Sequence, residues 1–308
     1  MKVDANLTNT NVIDNKASVS QQAPVKKSAN SKPVNPTSVH ISSDNTYSQS
    51  LRLSQIAHRF GIAKTNTSKE QSIEQRAGRR ERLNAARKQQ NLEAIMEFAQ
   101  QYIDSSSSQE EVDPDWLYQF FDMAETIFSS SMQHLWGKIL SIQISKPGTF
   151  SLRALKTLNQ MTFKEAIMFQ HACALMVRDK LEYGGKIITG YYLPASFFSF
   201  LSKSQSKSIN LSKFKLNYPE LLSLIDLNLI YATEIEMAPL ALGQAMEFDG
   251  MTSKVQIKAS KPGLVLTYYK LTQIGNELTK LIATESRPDY FNQLPAVFNP
   301  VAEVNTSI

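Results

Sequence analysis

The stretch KIITGYYLP, residues 186–194, follows Gly184-Gly185 and divides the chain. Its β-branched and aromatic residues read as a strand. Before it, the regular patterning is helical. After it come a short apolar run, FFSFL (197–201), a helix opened by Asn217-Tyr-Pro-Glu220, and the strand-like runs IYATEIEM (230–237), KVQIKAS (254–260) and GLVLTYYKL (263–271). A last helix runs from Leu271 to about Ala283 and buries Leu271, Ile274, Leu278, Leu281 and Ile282. The order helix, strand, helix, β-hairpin, helix over 183–283 predicts an α+β module of winged-helix type. Its wing would be residues 238–252, APLALGQAMEFDGMT, which hold two acids and no Lys or Arg. A wing that grips DNA is usually basic, so this one suits protein contact better. Residues 284–308 read as an irregular C-terminal tail, laid over the body through Tyr290, Phe291 and Phe298.

Upstream, residues 104–182 predict an α-helical core. Asp113-Pro114 opens a helix as N-cap and first residue. Trp116, Phe120, Phe121, Ala124, Ile127 and Phe128 line its buried side. The next helix carries Met132, Leu135, Trp136, Ile139 and Leu140 at i, i+3, i+4, i+7, i+8, and Pro147-Gly148 stops it. Leu152, Leu155 and Leu158 mark a third helix. Thr162-Phe-Lys-Glu165 is a capping box for a fourth, reaching about Lys180, with Phe163, Ile167 and Phe169 in its apolar band.

Residues 51–103 predict an amphipathic segment and a long basic helix. Leu53, Ile56, Ala57 and Phe60 fall at helical spacing before Gly61. SQIAHRFGIA looks like the first helix and turn of a helix-turn-helix, but Thr67, Glu70 and Gln71 stand where a second helix needs apolar packing. A short amphipathic segment fits better. The basic helix starts at a Ser68–Gln71 capping box and carries Arg76, Arg79, Arg80, Arg82, Arg87 and Lys88; Gly78 is its weak point. These six are the candidate nucleic-acid-binding residues, because guanidinium matches phosphate geometry. The alternative is a solvated face with Glu74 and Glu81 as internal partners. No aromatic residue is interleaved among the arginines, so base stacking is not indicated. Residues 1–50, rich in Ser, Thr, Asn, Gln, Pro and Lys, predict a disordered tail. The predicted fold class is thus mainly α, with a helical core, a C-terminal winged-helix-like module and a disordered N-terminal tail.

Charge follows the same divisions. The chain has 308 residues and a formal net charge of +5. Residues 1–68 carry eight Lys/Arg against three Asp/Glu, and residues 104–182 carry seven against ten. A basic first third is compatible with nucleic acid or with a solvated tail. One cysteine, Cys173, excludes an internal disulfide framework. Four scattered histidines make no metal cage. MKVDANLTNTNVID has no apolar run, which predicts no secretory signal, and no stretch predicts a membrane span. The expected location is cytoplasmic.

Catalytic signatures are sparse. Phosphate-loop, dinucleotide, zincin and nucleophile-elbow motifs are absent. His171 and Cys173 are two apart on a helix and so face different ways. Asp122 and Glu125 share a face, as a general acid and base would, or as a solvated edge. No catalytic residue, metal or cofactor is expected. The expected activity is a non-enzymatic interaction through protein contacts, with sequence-independent nucleic-acid binding by the basic helix as the alternative and a homo-oligomer as a further option.

Four blocks carry a resemblance: Arg87-Lys-Gln-Gln-Asn91-Leu-Glu-Ala-Ile95, Asp113-Pro-Asp115-Trp116, Met132-Gln133-His-Leu-Trp136-Gly137-Lys138-Ile139-Leu140, and Pro147-Gly148-Thr-Phe150-Ser151-Leu-Arg153. With Leu271-Thr272-x-x-Gly275, this pattern resembles a conserved gammaproteobacterial family of unknown function. The helix order and the Leu135-Trp136-x-x-Ile139-Leu140 pattern are also similar to abortive-infection proteins of the alpha type. The latter similarity implies phage defence or stress response as a setting, and neither implies a catalytic residue.

Overall fold

A computed structural model describes residues 43–62, 71–103, 110–195, 204–283 and 287–307. The predicted tail before residue 43, the apolar run 197–201 and most of the would-be second helix of a helix-turn-helix lie outside these residues. The chain divides into two compact units, Met1–His58 and Arg59–Ile308. The first contributes α1 (Ser43–Arg59), which begins inside the segment read as a tail. Its Tyr47, Leu51, Leu53 and Ile56 side chains are exposed.

In the second unit, α2 (Ile73–Gln101) begins five residues later than the sequence predicts. Its capping box is Ser72 with Gln75: the Gln75 N–H donates to Ser72 Oγ at 3.3 Å, and the Ser72 N–H donates to Gln75 Oε1 at 3.2 Å. α3 (Pro114–Ala124) is capped by Asp113, α4 (Ser130–Ser145) by Ser129, α5 (Leu152–Gln160) by Ser151, and α6 (Phe163–Ala174) by the Thr162–Glu165 box. The hydrogen bonds from the Thr162 side chain and backbone hold the Glu165 carboxyl below its usual range. α2 and α4 cross closely at Gly137. A Cβ there would sit 2.6 Å from Phe98 Cβ and 2.8 Å from the Ala99 nitrogen, so no larger residue fits. Trp116 stacks on Phe120 and Phe120 meets Trp136, with ring centroids 5.2 and 5.1 Å apart. Trp116 Nε1 donates to the Phe150 carbonyl at 2.8 Å, tying α3 to the start of α5.

The remaining elements are β1 (Val177–Arg178), β2 (Lys186–Leu193), β3 (Gln205–Ser208), α7 (Tyr218–Asp226), β4 (Ile235–Glu236), β5 (Ala245–Gly250), β6 (Lys254–Ala259), β7 (Val265–Lys270), α8 (Gln273–Leu278) with a 3₁₀ turn at Thr279–Leu281, α9 (Pro288–Phe298) and β8 (Ala302–Ser307). The strands form one antiparallel sheet, eight-stranded among the described residues, in the order β4-β7-β2-β1-β5-β6-β8, with β3 also on β2.

This sheet corrects the predicted fold class. The chain is α+β, and its C-terminal half is not a winged-helix-like module. A wing is a hairpin that projects from a small sheet, whereas here the β5–β6 hairpin is interior. β6 pairs with β5 through Met246–Ile257 and with β8 through Val255–Thr306. The supposed wing residues 245–250 are a sheet strand. Residues expected as an irregular tail supply α9 and β8. α9 packs on the sheet: Tyr290 Oη donates to the Ile188 carbonyl at 2.7 Å, and Phe298 lies 5.4 Å from Tyr191. Among the described residues, no helix is long and apolar enough to cross a membrane.

Candidate functional site

Four of the six basic residues of α2 share a side: at about 100° per residue, Arg76, Arg79, Arg80 and Arg87 fall within about 100° of one another, with Arg82 and Lys88 on other sides. Arg76 donates to the Gln71 carbonyl at 3.0 Å, and Arg79 to Gln71 Oε1 at 3.3 Å. Arg87 donates to the Arg59 carbonyl and lies over the Phe60 ring at 5.6 Å. Lys88 pairs with Glu125, whose backbone carbonyl also accepts Asn91 Nδ2 at 2.8 Å. Arg80 and Arg82 are exposed and make no ion pair among the described residues.

Glu125 is therefore engaged as the partner of Lys88, whereas Asp122 is exposed and makes no ion pair among the described residues. His134 is held edge-on by Phe98 and Tyr102, with centroids 4.4 and 5.4 Å away. Cys173 is fully buried, and burial pushes its thiol far above the usual range, so it is inert at neutral pH. No group of three or more His, Cys, Asp or Glu among the described residues is arranged to hold a metal ion.

Sequence reasoning missed a buried ionic network. Lys186, 2% exposed, donates to Asp179 and lies 3.0 Å from Glu182, which also pairs with Lys270. Asp179 Oδ1 accepts the Leu181 and Glu182 N–H groups at 2.8 Å each, fixing the turn that carries Glu182. Burial pushes the Lys186 ammonium downward, and the hydrogen bonds it donates to Asp179 and Glu182 outweigh it, so its pKa ends above the usual range. The only sequence signal is a lysine opening an otherwise apolar strand. The Lys186–Asp179 pair is buried on both sides and fixes geometry.

The surface feature that stands apart is an apolar groove of about 250 Å³ between α4, α6 and the α8 turn. Leu135, Leu158, Met161, Ile167, Leu281 and Ile282 line it. Phe163 stands at its edge with 82% of its surface exposed. The capping box places Phe163 at the first position of α6, where no earlier turn covers it. Lys138 of α4 donates to the carbonyl of the lining residue Leu281 at 3.4 Å, and exposed Lys164 follows Phe163. No carboxylate lines it.

The residues of the Leu271-Thr272-x-x-Gly275 pattern have a structural role. Thr272 Oγ1 accepts the Gly275 N–H at 3.1 Å and donates to the Asn228 carbonyl at 2.6 Å. A Cβ on Gly275 would meet the Leu229 oxygen at 2.2 Å. No curated protein and no solved structure matches the chain. A family model does match over residues 75–295, from α2 to α9, and the chain belongs to that family, the proteins of unknown function DUF2806.

Proposed function

We propose that this chain is a non-enzymatic protein-contact module whose apolar groove seats an amphipathic helix with acidic flanks. The observation that carries this reading is Phe163, a large aromatic side chain 82% exposed at the edge of a groove lined almost wholly by apolar residues. Exposed aromatics beside an apolar pocket are typical anchors of protein contacts. A helix with apolar residues at i, i+3, i+4 and i+7 is the occupant that such grooves take. Exposed Lys164 beside Phe163 and Lys138 on the Leu281 carbonyl favour acidic flanks by charge complementarity, since Glu165 is committed to its capping box. A setting in phage defence or stress response, in the cytoplasm, is part of this proposal; what supports it is the helix order and the Leu135-Trp136-x-x-Ile139-Leu140 pattern, which resemble alpha-type abortive-infection proteins. The test is binding of an acid-flanked amphipathic helical peptide to the full chain and to its Phe163→Glu variant. Light scattering alongside it separates this occupant from a second copy of the chain.

A second reading is sequence-independent nucleic-acid binding along α2. It now rests on Arg80 and Arg82, the two of the six candidates that stay exposed without an ion pair among the described residues.

A further inference from the structure

Two cavities follow one another between the start of α5 and α8, sharing Gln273. The larger, about 560 Å³, has Ser151, Leu152 and Arg153 on one wall and Asn228, Tyr231 and Thr272 on the other. The smaller, about 350 Å³, shares Tyr231 and Gln273 with it and continues to Tyr183, Lys270 and Lys280. Each lies in the size range of small-molecule sites, about 300–1,000 Å³.

The charges on these walls do not cancel. Arg153 is exposed and makes no hydrogen bond or ion pair among the described residues. Lys280 donates only to the Thr149 carbonyl, at 3.3 Å. Lys270 is paired with Glu182. The single carboxylate, Glu277, is 6% exposed and already accepts from the Ser151 N–H and from Gln273 Nε2. Arg153 and Lys280 outnumber the Glu277 carboxylate, so one net positive charge remains at a concave polar surface, which is the electrostatic description of an anion seat. Tyr231, 49% exposed where the cavities meet, and Tyr183, 75% exposed in the smaller one, add two aromatic faces. Tyrosine faces at a polar site suit a planar base. Gln273 lines the same cavity, and its Nε2 donates to Glu277, which leaves the amide oxygen as the acceptor it offers to an exocyclic amine.

We propose that this cleft binds a nucleoside phosphate, with the phosphate on Arg153 and the base against Tyr231. The site is independent of the apolar groove and of the α2 arginines.

The experiment is calorimetric titration of the full chain with AMP, GMP, CMP and UMP, and separately with adenosine, ribose 5-phosphate and inorganic phosphate. At least one nucleotide is expected to bind with a Kd of about 1 mM or tighter. Its nucleoside and inorganic phosphate are expected to bind at least about tenfold more weakly. Arg153→Ala should weaken the nucleotide about tenfold and leave the nucleoside unchanged, while Tyr231→Ala should weaken both. Both side chains are at the surface, so unchanged melting temperatures establish that the variants fold, and Arg153→Lys should retain part of the affinity. Absence of nucleotide binding at several times that concentration overturns the proposal. So does nucleotide binding that neither variant alters, or inorganic phosphate binding as tightly as the nucleotide.

Discussion

Glu277 Oε2 accepts the backbone N–H of Ser151 at 2.7 Å, so a carboxylate from α8 closes the exposed start of α5. The two residues are 126 positions apart, and the contact joins the helical half of the second unit to the sheet half. A carboxylate at a helix N-terminus satisfies an orphan N–H and is favoured by the helix dipole. Gln273 Nε2 holds its other oxygen at 3.0 Å.

Glu277→Gln should therefore cost about 1–2 kcal/mol of stability, since a charge-assisted bond becomes a neutral one. Glu277→Ala should cost more, about 2–4 kcal/mol, because the Ser151 N–H and the Gln273 amide both lose their acceptor. Urea unfolding followed by circular dichroism reads both. Equal stabilities of wild type and Glu277→Ala would show that the seam does not depend on this bond.

The buried ion pair makes a sharper case. Lys186→Ala leaves Asp179 as an uncompensated buried charge and should cost about 3–5 kcal/mol. Lys186→Met combined with Asp179→Asn removes both charges and should recover most of that loss. The pH dependence follows from direction. The Lys186 pKa is raised in the folded state, so its contribution is complete below its usual value of 10.5 and is lost as the pH climbs through the folded value. Glu182 is lowered, first by the hydrogen bond from Lys270, then against burial and with help from Lys186. Its contribution is present above 4.5 and fades as the pH falls through its folded value. Between these limits the two groups contribute a constant amount, and the buried Cys173 thiol lowers stability as the pH rises past its usual value of 9.0, because the unfolded state ionises first. In Lys186→Met the alkaline loss should be smaller than in the wild type.

Two glycines give opposite expectations. Gly137→Ala forces α2 and α4 apart and should cost about 1–3 kcal/mol. Gly78→Ala lies in the interior of α2, where an added Cβ meets nothing within 4 Å, and should stabilise by about 0.5–1 kcal/mol. Thermal denaturation of the two variants side by side measures both signs.

The nucleic-acid reading predicts anisotropy changes with labelled single- and double-stranded DNA and RNA at low salt, diminishing as salt rises. The double variant Arg80→Glu, Arg82→Glu should lose them. Binding unchanged in that variant would remove α2 as the interface.

The helical half was legible because its signals are local. Asp113-Pro114, Pro147-Gly148 and Thr162-Glu165 mark helix ends within three or four residues, and the i, i+3, i+4 spacing of Leu135, Trp136 and Ile139 marks a buried face. The sheet was not legible, because its pairings are remote. β2 lies between β7 and the short β1, whose Val177 reads as the end of the α6 apolar band. β8, AEVNTS, is polar by composition and becomes a strand through its ladder with β6. The same distinction holds for function. The arginines of α2 stand out in the sequence, but their partners Gln71, the Arg59 carbonyl and Glu125 depend on the fold. Phe163 reads as part of a buried band, and its exposure comes from sitting at the first position of α6.

The apolar groove beside Phe163 carries the proposed function. Its most direct test is fluorescence anisotropy of a labelled 18-residue amphipathic helix with leucines at i, i+3, i+4 and i+7. One version carries glutamates beside the apolar stripe and the other lysines. The full chain should bind the acidic peptide with a Kd of about 1–100 μM and the basic peptide at least about tenfold more weakly, and Phe163→Glu should abolish the first interaction. Equal binding of the two peptides, or binding of the acidic peptide that survives Phe163→Glu, would contradict the account.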